Sequence, residues 1–343
     1  MSENMPSRST SAGSAQSPVN RLIDVLSLGE PAASLQHTYI KGESLYFPTG
    51  HVYGGQVIAQ SVVATSETVP EGRLPQSIHG YFIAAGDIHQ DVLFDVENLR
   101  DGRSFSSRRV NATQRDGAIF TAITSFQEYG QDGFQFHDPA PDVAVQPEDL
   151  PSVKELMRPY EKVSPLAAYY AKESPFDIRH VTPTVLLGNG NNSSDNSNNG
   201  NDGGKGKKDS KIGGQGHSRN STPGSAHTEG GQQLVWMKAD GNVDASQTIH
   251  RALLALGCDQ IMMEPILRRA GISFTTKGIS FASIDHSMWW YDNIDMNDWI
   301  LFEQDTPVAG HGRGLATAKV YSRDGKLVAA MVQEAMIRVP QTE

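Results

Sequence analysis

Residues 106–126, SSRRVNATQRDGAIFTAITSF, and residues 315–333, LATAKVYSRDGKLVAAMVQ, share one design: two β-rich runs joined through Arg-Asp-Gly. Asp-Gly between β-formers signals a hairpin, because glycine accepts the positive φ that a type I′ turn demands. A second pair of segments recurs at nearly the same distance. Ser77-Ile78-His79 before Gly-Tyr-Phe parallels Ser283-Ile284-Asp285 before His-Ser-Met-Trp-Trp. The two offsets, 208 and 206 residues, differ by two. Strand side chains alternate with period two, so that drift leaves the faces unchanged. One segment with apolar residues at helical spacing precedes each hairpin, GGQVIAQSVVATSETV at 54–69 and CDQIMMEPILRRAG at 258–271. The chain therefore reads as α+β, two tandem units of one helix and several long antiparallel strands.

Length agrees with two units, since 343 residues exceed one typical domain and suit two of about 100–150. Lys and Arg number 29 against 39 Asp and Glu, a formal charge of −10 with no dense basic stripe, which argues against a nucleic-acid partner. The single cysteine, Cys258, excludes an intramolecular disulfide framework and a cysteine-based zinc site, and fits a reducing compartment. No run of 18 apolar residues and no signal-peptide core is present, so no stable membrane insertion is expected. The ending Gln341-Thr342-Glu343 is not a Ser-Lys-Leu type peroxisomal address. Cytoplasm is the expected location, with peroxisomal import on a partner as the alternative.

Residues 1–18 are polar and Ser-rich, and 188–231 are Gly, Asn and Ser with almost no apolar side chain to offset ordering entropy. Both read as disordered. The second lies between two stretches of strand character, 176–187 and 232–239, as an overgrown hairpin loop. The expected organisation is a first unit over 19–138, a connection over 139–175 and a second unit over 176–343 that carries the insert.

Three further segments, GCDQIMMEP at 257–265, FASIDHSMWW at 281–290 and AMVQEAMIR at 330–338, resemble in order and spacing the catalytic half of the acyl-CoA thioesterase II family. HVYGGQVIAQ at 51–60 and the run from Asn98 to Gln127 extend the likeness, which spans most of 19–138 and 232–343. The resemblance implies a double hotdog, each long helix wrapped by a curved antiparallel sheet, and hydrolysis of acyl-CoA to a free acid and CoA. It also implies that an Asp at the start of the second helix, a Thr and a Gln hold the attacking water. These positions fall on Asp259, Ser283 and Gln333, so Ser replaces Thr and keeps a hydroxyl on a looser rotamer. Asp259 would serve as general base or water orienter, and Gln333 could both donate to and accept from the water. Gly54 and Gly55, opening the first helix, could offer backbone N–H groups to the oxyanion. Arg313, and Arg108 with Arg109, have the guanidinium fork that phosphates of CoA would meet. No metal and no cofactor is implied. Homo-oligomers are expected, because hotdog units leave sheet edges and apolar faces that pair.

Ordinary structural roles compete at every position. Asp259 would also serve as a helix N-cap, and Ser283 and Gln333 as half-exposed strand residues. Cys258 beside Asp259 fits a buried small hydrophobe better than a nucleophile. His79, Asp285 and His286 fall near the expected tunnel, where a satisfied core histidine is the commoner outcome. Trp289, Trp290 and Tyr291 fit a core or an interface, and the arginines a solvated strand. Among rival functions, an α/β-hydrolase would need a Gly-x-Ser-x-Gly elbow, and the sequence has none. A hotdog hydratase or dehydratase would need a His about five residues after the helix Asp, where this chain has Gln-Ile-Met-Met-Glu. A non-catalytic acyl-CoA binder is the third alternative, and release of CoA separates it from an enzyme.

Overall fold

The computed structural model describes residues 16–186 and 231–339. Its elements run α1 (Pro18–Leu26), β1 (Ala32–Ser34), β2 (His37–Gly42), α2 (Gly54–Ser66), β3 (Arg73–Phe82), β4 (Val92–Asp101), β5 (Phe105–Gln114) and β6 (Gly117–Glu128). The connection carries α3 (Val153–Met157) and α4 (Pro165–Lys172). There follow β7 (Phe176–His180), β8 (Gln233–Ala239), α5 (Gln247–Asp259), α6 (Glu264–Arg269), β9 (Ser280–Ser283), β10 (Asp285–Trp290), β11 (Ile300–Gly310), β12 (Arg313–Ser322) and β13 (Leu327–Arg338).

All strands join one antiparallel sheet in the order β1-β2-β4-β5-β6-β3-β10-β13-β12-β11-β8-β7, with β9 added beside β13. The order is symmetric about the β3–β10 seam, where Ser287 pairs with His79 and Met288 with Ile78. β3, β6, β5, β4 and β2 on one side answer β10, β13, β12, β11 and β8 on the other. The segments that repeat in the sequence thus become neighbours. Within the curved sheet lie α2 and α5, 13 residues each and buried almost all round, as helices apolar on every face must be. This is a double hotdog.

The helices cross closely because Gly55 has no side chain. A β-carbon there would lie 2.6 Å from the Leu256 carbonyl oxygen and 2.7 Å from the Tyr53 ring. Only glycine lets α2 approach the backbone of α5 so nearly.

Several expectations change. The second central helix is Gln247–Asp259 and not 258–271: the chain breaks after Asp259, where Gln260 and Ile261 N–H turn back to Gly257 and Cys258, and α6 starts afresh beside Pro265. Asp259 ends a helix and caps none. The hairpins are not type I′, since Asp116 and Asp324 have no positive φ; in each turn the glycine alone does, Gly117 at φ +129° and Gly325 at φ +87°, beside register shifts at Ala112/Thr113 and Val320/Tyr321. α1 starts at Pro18 under a Ser17 cap and buries Val19, Leu22 and Leu26, so order begins inside the polar stretch expected over 1–18; residues 1–15 lie outside the described residues. Most of the 188–231 insert is also outside them, but β7 and β8 on either side pair antiparallel, Phe176 with Ala239 and His180 with Val235, as a hairpin requires. The connection 139–175 is no bare linker. Val153, Met157, Ala167 and Tyr170 enter the main core, while Ala140, Val143 and Leu150 cover Trp236, Trp299, Leu301 and Tyr321 on the outer face of the second half. Among the described residues no helix is long and apolar enough to cross a membrane.

Replacing Gly55 by Ala should lower stability by about 1–3 kcal/mol, the usual cost of overpacking, read as a reduced midpoint in urea unfolding.

Candidate active site

Because α2 and α5 run antiparallel, the last residue of α5 meets the first of α2. A β-carbon on Gly54 would stand 3.0 Å from Asp259 Oδ2. Asp259 is 8% exposed, and its two oxygens have different surroundings. Oδ1 accepts from Gln333 Nε2 at 3.0 Å and from Ser283 Oγ at 3.3 Å. Oδ2 takes no side-chain donor among the described residues and faces the amino end of α2. That end carries the positive pole of a helix and unpaired N–H groups, a favourable place for negative charge. The Gln56 and Val57 N–H groups are turned onto the Tyr53 carbonyl, whereas those of Gly54 and Gly55 have no acceptor among the described residues.

Gln333 comes from β13, opposite Ala316, and is 1% exposed. Both ends of its amide are engaged. Nε2 donates both to Asp259 and to Ser283 Oγ, 2.7 Å away, while Oε1 lies 2.8 Å from His286 Nδ1. Both Nε2 hydrogens are engaged, so the donor half of the double role expected for it goes to Asp259 and Ser283, and Oε1 keeps one lone pair beyond its contact with His286. Ser283 arrives from β9, which pairs with β13. Asp259, Ser283 and Gln333, about 75 residues apart at the extremes, form one hydrogen-bonded cluster.

The other expected residues divide. Gly54 and Gly55 stand at the site, Gly55 also as the close contact of the helices. Arg313 does not: it shares the outer face of the sheet with Glu334, 3.2 Å away, while Gln333 points inward. Arg108 is completely buried, bound to Thr68 and to Asp101, and has no access to a phosphate; Arg109 pairs with Glu97 on the surface. His79 is exposed on the outer face, against Ser287 Oγ and the Trp289 ring, so it belongs to no tunnel. Burial pushes the Cys258 thiol well up, and its Sγ–H donates to the Ala255 carbonyl, as an inert buried cysteine does. His286, which the sequence places near the expected tunnel as a core histidine, is buried against Gln333. It is 1% exposed, and burial holds its pKa below the usual histidine value despite the Gln333 contact and the nearby Asp259 and Asp285 carboxylates. Three residues separate it from Ser283, a spacing that puts two side chains on opposite faces of a regular strand, yet both reach Gln333.

Behind the cluster, Tyr53 Oη donates to the Leu256 carbonyl at 3.0 Å. Tyr53 and Leu256 also wall a cavity of about 320 Å³ with Leu22, Leu45, Phe47 and Tyr169.

A double hotdog with a carboxylate, a hydroxyl and an amide gathered at the junction of its central helices has the groups that attack of water on a thioester would need. Comparison with known proteins agrees. The family models for the acyl-CoA thioesterase N-terminal and C-terminal domains match residues 44–127 and 200–337. The chain is 31% identical to acyl-CoA thioesterase 2 of Haemophilus influenzae over 93% of its own length and 98% of that protein. It is 28% identical to human acyl-coenzyme A thioesterase 8, over 89% and 86% respectively. The crystal structure of acyl-CoA thioesterase II TesB2 from Mycobacterium marinum superposes with a TM-score of 0.64 at 29% identity, covering 93% of this chain and 99% of that one. The chain belongs to the acyl-CoA thioesterase II family and is an acyl-CoA thioester hydrolase.

Cys258 should resist thiol reagents in the native protein and react only as the chain unfolds. Intact-mass measurement of alkylation across a urea series checks this, and labelling without unfolding would contradict the burial.

Proposed function

We propose that this chain hydrolyses acyl-CoA by direct attack of a water held between Asp259 Oδ2 and Ser283 Oγ. The observation that carries the reading is the division of labour within the Asp259 carboxylate. With Oδ1 anchored by Gln333 and Ser283, Oδ2 is the oxygen free to accept a proton. Ser283 Oγ gives its hydrogen to Oδ1, accepts one from Gln333 and retains acceptor capacity. A water that donates one hydrogen to each acceptor has its lone pairs turned outward, toward a thioester carbonyl. The Gly54 and Gly55 N–H groups supply donors for the carbonyl oxygen, where negative charge develops.

The steps balance without a further reactant. Asp259 takes a proton as the water oxygen bonds to the carbonyl carbon; the C–S bond then breaks, and the departing CoA sulfur receives that proton. The products are a carboxylic acid and CoA thiol. The cavity against Tyr53 and Leu256 offers the acyl chain an apolar berth one turn of α5 from Asp259. Association of copies is supported by the outer face of the first half, where Tyr81 (57% exposed) and Ile123 (44%) have no counterpart of the segment that covers the second half. A cytoplasmic setting rests on the sequence alone. A hydratase would need a His about five residues after Asp259, and Gln260-Ile261-Met262-Met263-Glu264 contains none.

Native protein should release CoA from acyl-CoAs, followed with a thiol reagent across increasing chain length. Asp259→Asn should lower kcat roughly 100- to 10,000-fold, the usual weight of a general base, while keeping the native circular dichroism spectrum. Undiminished turnover in the folded variant would remove Asp259 from the mechanism, and absence of CoA release by the native chain would remove the hydrolase reading altogether.

A further inference from the structure

We propose that His286 is a positioning residue for this reaction, its Nδ1–H holding the Gln333 amide in the one orientation that presents Nε2 to both Asp259 and Ser283. The inference rests on the hydrolytic reading above. A glutamine amide has two ends of nearly equal size and opposite polarity. Turned over, Gln333 would bring its carbonyl oxygen against the Asp259 carboxylate, two acceptors with no proton between them. His286 Nδ1, 2.8 Å from Oε1, prevents this, because an amide oxygen can only accept and the imidazole must therefore carry its proton on Nδ1.

Among the described residues no oxygen acceptor at the other ring nitrogen competes for that proton. The other ring nitrogen, Nε2, is 3.8 Å from Cys258 Sγ, whose hydrogen goes to the Ala255 carbonyl. Asp285, the adjacent carboxylate, accepts from the Glu334 N–H and is thus directed away. Along β10 the inward positions are His286, Met288 and Trp290, so the imidazole is the polar exception in an apolar row. Burying it without a partner would be costly, and the partner it has is Gln333.

Backbone geometry brings the histidine to this place. Ser283 pairs with Ala335, but Ser287 pairs with Val332, so the strand gains one residue on β13 between them. Such a bulge reverses the alternation of side chains. Ser283 and His286, three residues apart, would point to opposite faces of a regular strand; here both reach the same Gln333 side chain, one at each end of its amide.

The test compares His286→Leu, which deletes the donor, with His286→Asn, whose amide nitrogen can take the place of Nδ1, in the full-length protein. His286→Leu should lower kcat roughly 10- to 100-fold, the scale of a small misplacement at a reacting centre, with KM within about twofold. His286→Asn should recover most of that loss. In a Gln333→Leu background, His286→Leu should add little, since a residue acting through another is non-additive with it. Equal loss in the Asn and Leu variants, or full multiplication of the His286 and Gln333 effects, would assign His286 to packing alone. Should His286→Leu fail to fold, ¹⁵N NMR of the native imidazole decides the matter: the proton on Nδ1 supports the role, and a proton on Nε2 alone overturns it. Inactivity of the native chain would instead sink the hydrolytic reading.

Discussion

The close antiparallel contact between α2 and α5 governs the rest of this molecule. The two helices are buried in a single curved sheet and pass near enough that one glycine, Gly55, lies against the Leu256 carbonyl. That contact aligns the amino end of one helix with the carboxyl end of the other. It brings the positive pole and unpaired N–H groups of α2 to the last side chain of α5, Asp259. A carboxylate at the carboxyl end of its own helix is electrostatically disfavoured. The opposing helix end, together with Gln333 and Ser283, compensates it.

Near-symmetry of the fold does not produce two sites. Counted along 13-residue helices, the first-half counterpart of Asp259 is Ser66, whose hydroxyl bonds to the Val62 carbonyl of its own helix. Counting back by the 208 residues between the two Arg-Asp-Gly turns, Gln333 corresponds to Ser125. One half has thus kept the chemistry-bearing side chains, and the other supplies the helix end. The outer faces diverge similarly: the connection covers the second half's Trp236, Trp299 and Tyr321, while the first half leaves Tyr81 and Ile123 open.

Hairpins at 106–126 and 315–333 and the helix opening at Gly54 were legible in the sequence, because period-two alternation, Asp-Gly turns and an uncharged run are local signals. So was the meeting of Asp259, Ser283 and Gln333, through their likeness to a family. The boundary of α5 was not, since the apolar positions from Ile249 to Leu267 run on through the break at Asp259, with Gly257 inside α5 and Pro265 inside α6 rather than at the break itself. Arg108 read as a surface cation because nothing local reveals that Asp101 and Thr68 enclose it. α1 did have a signal, Ser17-Pro18 ahead of Val19, Leu22 and Leu26, hidden by the polar composition before it. The contact of His286 with Gln333 was out of reach, because the bulge that turns the imidazole inward depends on how β9 and β10 register against β13, a strand more than 40 residues away.

The chemical character of the cluster follows from what the fold keeps away from it. A carboxylate beside a guanidinium is held as an anion and makes a poor proton acceptor. In this half Arg251 is directed to the carbonyls of Pro75 and Asp292, Arg268 to Gln233, and Arg313 to the outer face with Glu334. Every side chain bound to Asp259 is neutral, and burial lowers the pKa of the nearest imidazole, His286. Orientation is therefore supplied by hydroxyl and amide dipoles, which fix the carboxylate in space without neutralising it. A serine in place of threonine satisfies that requirement equally, because the bond to Asp259 needs the hydroxyl alone.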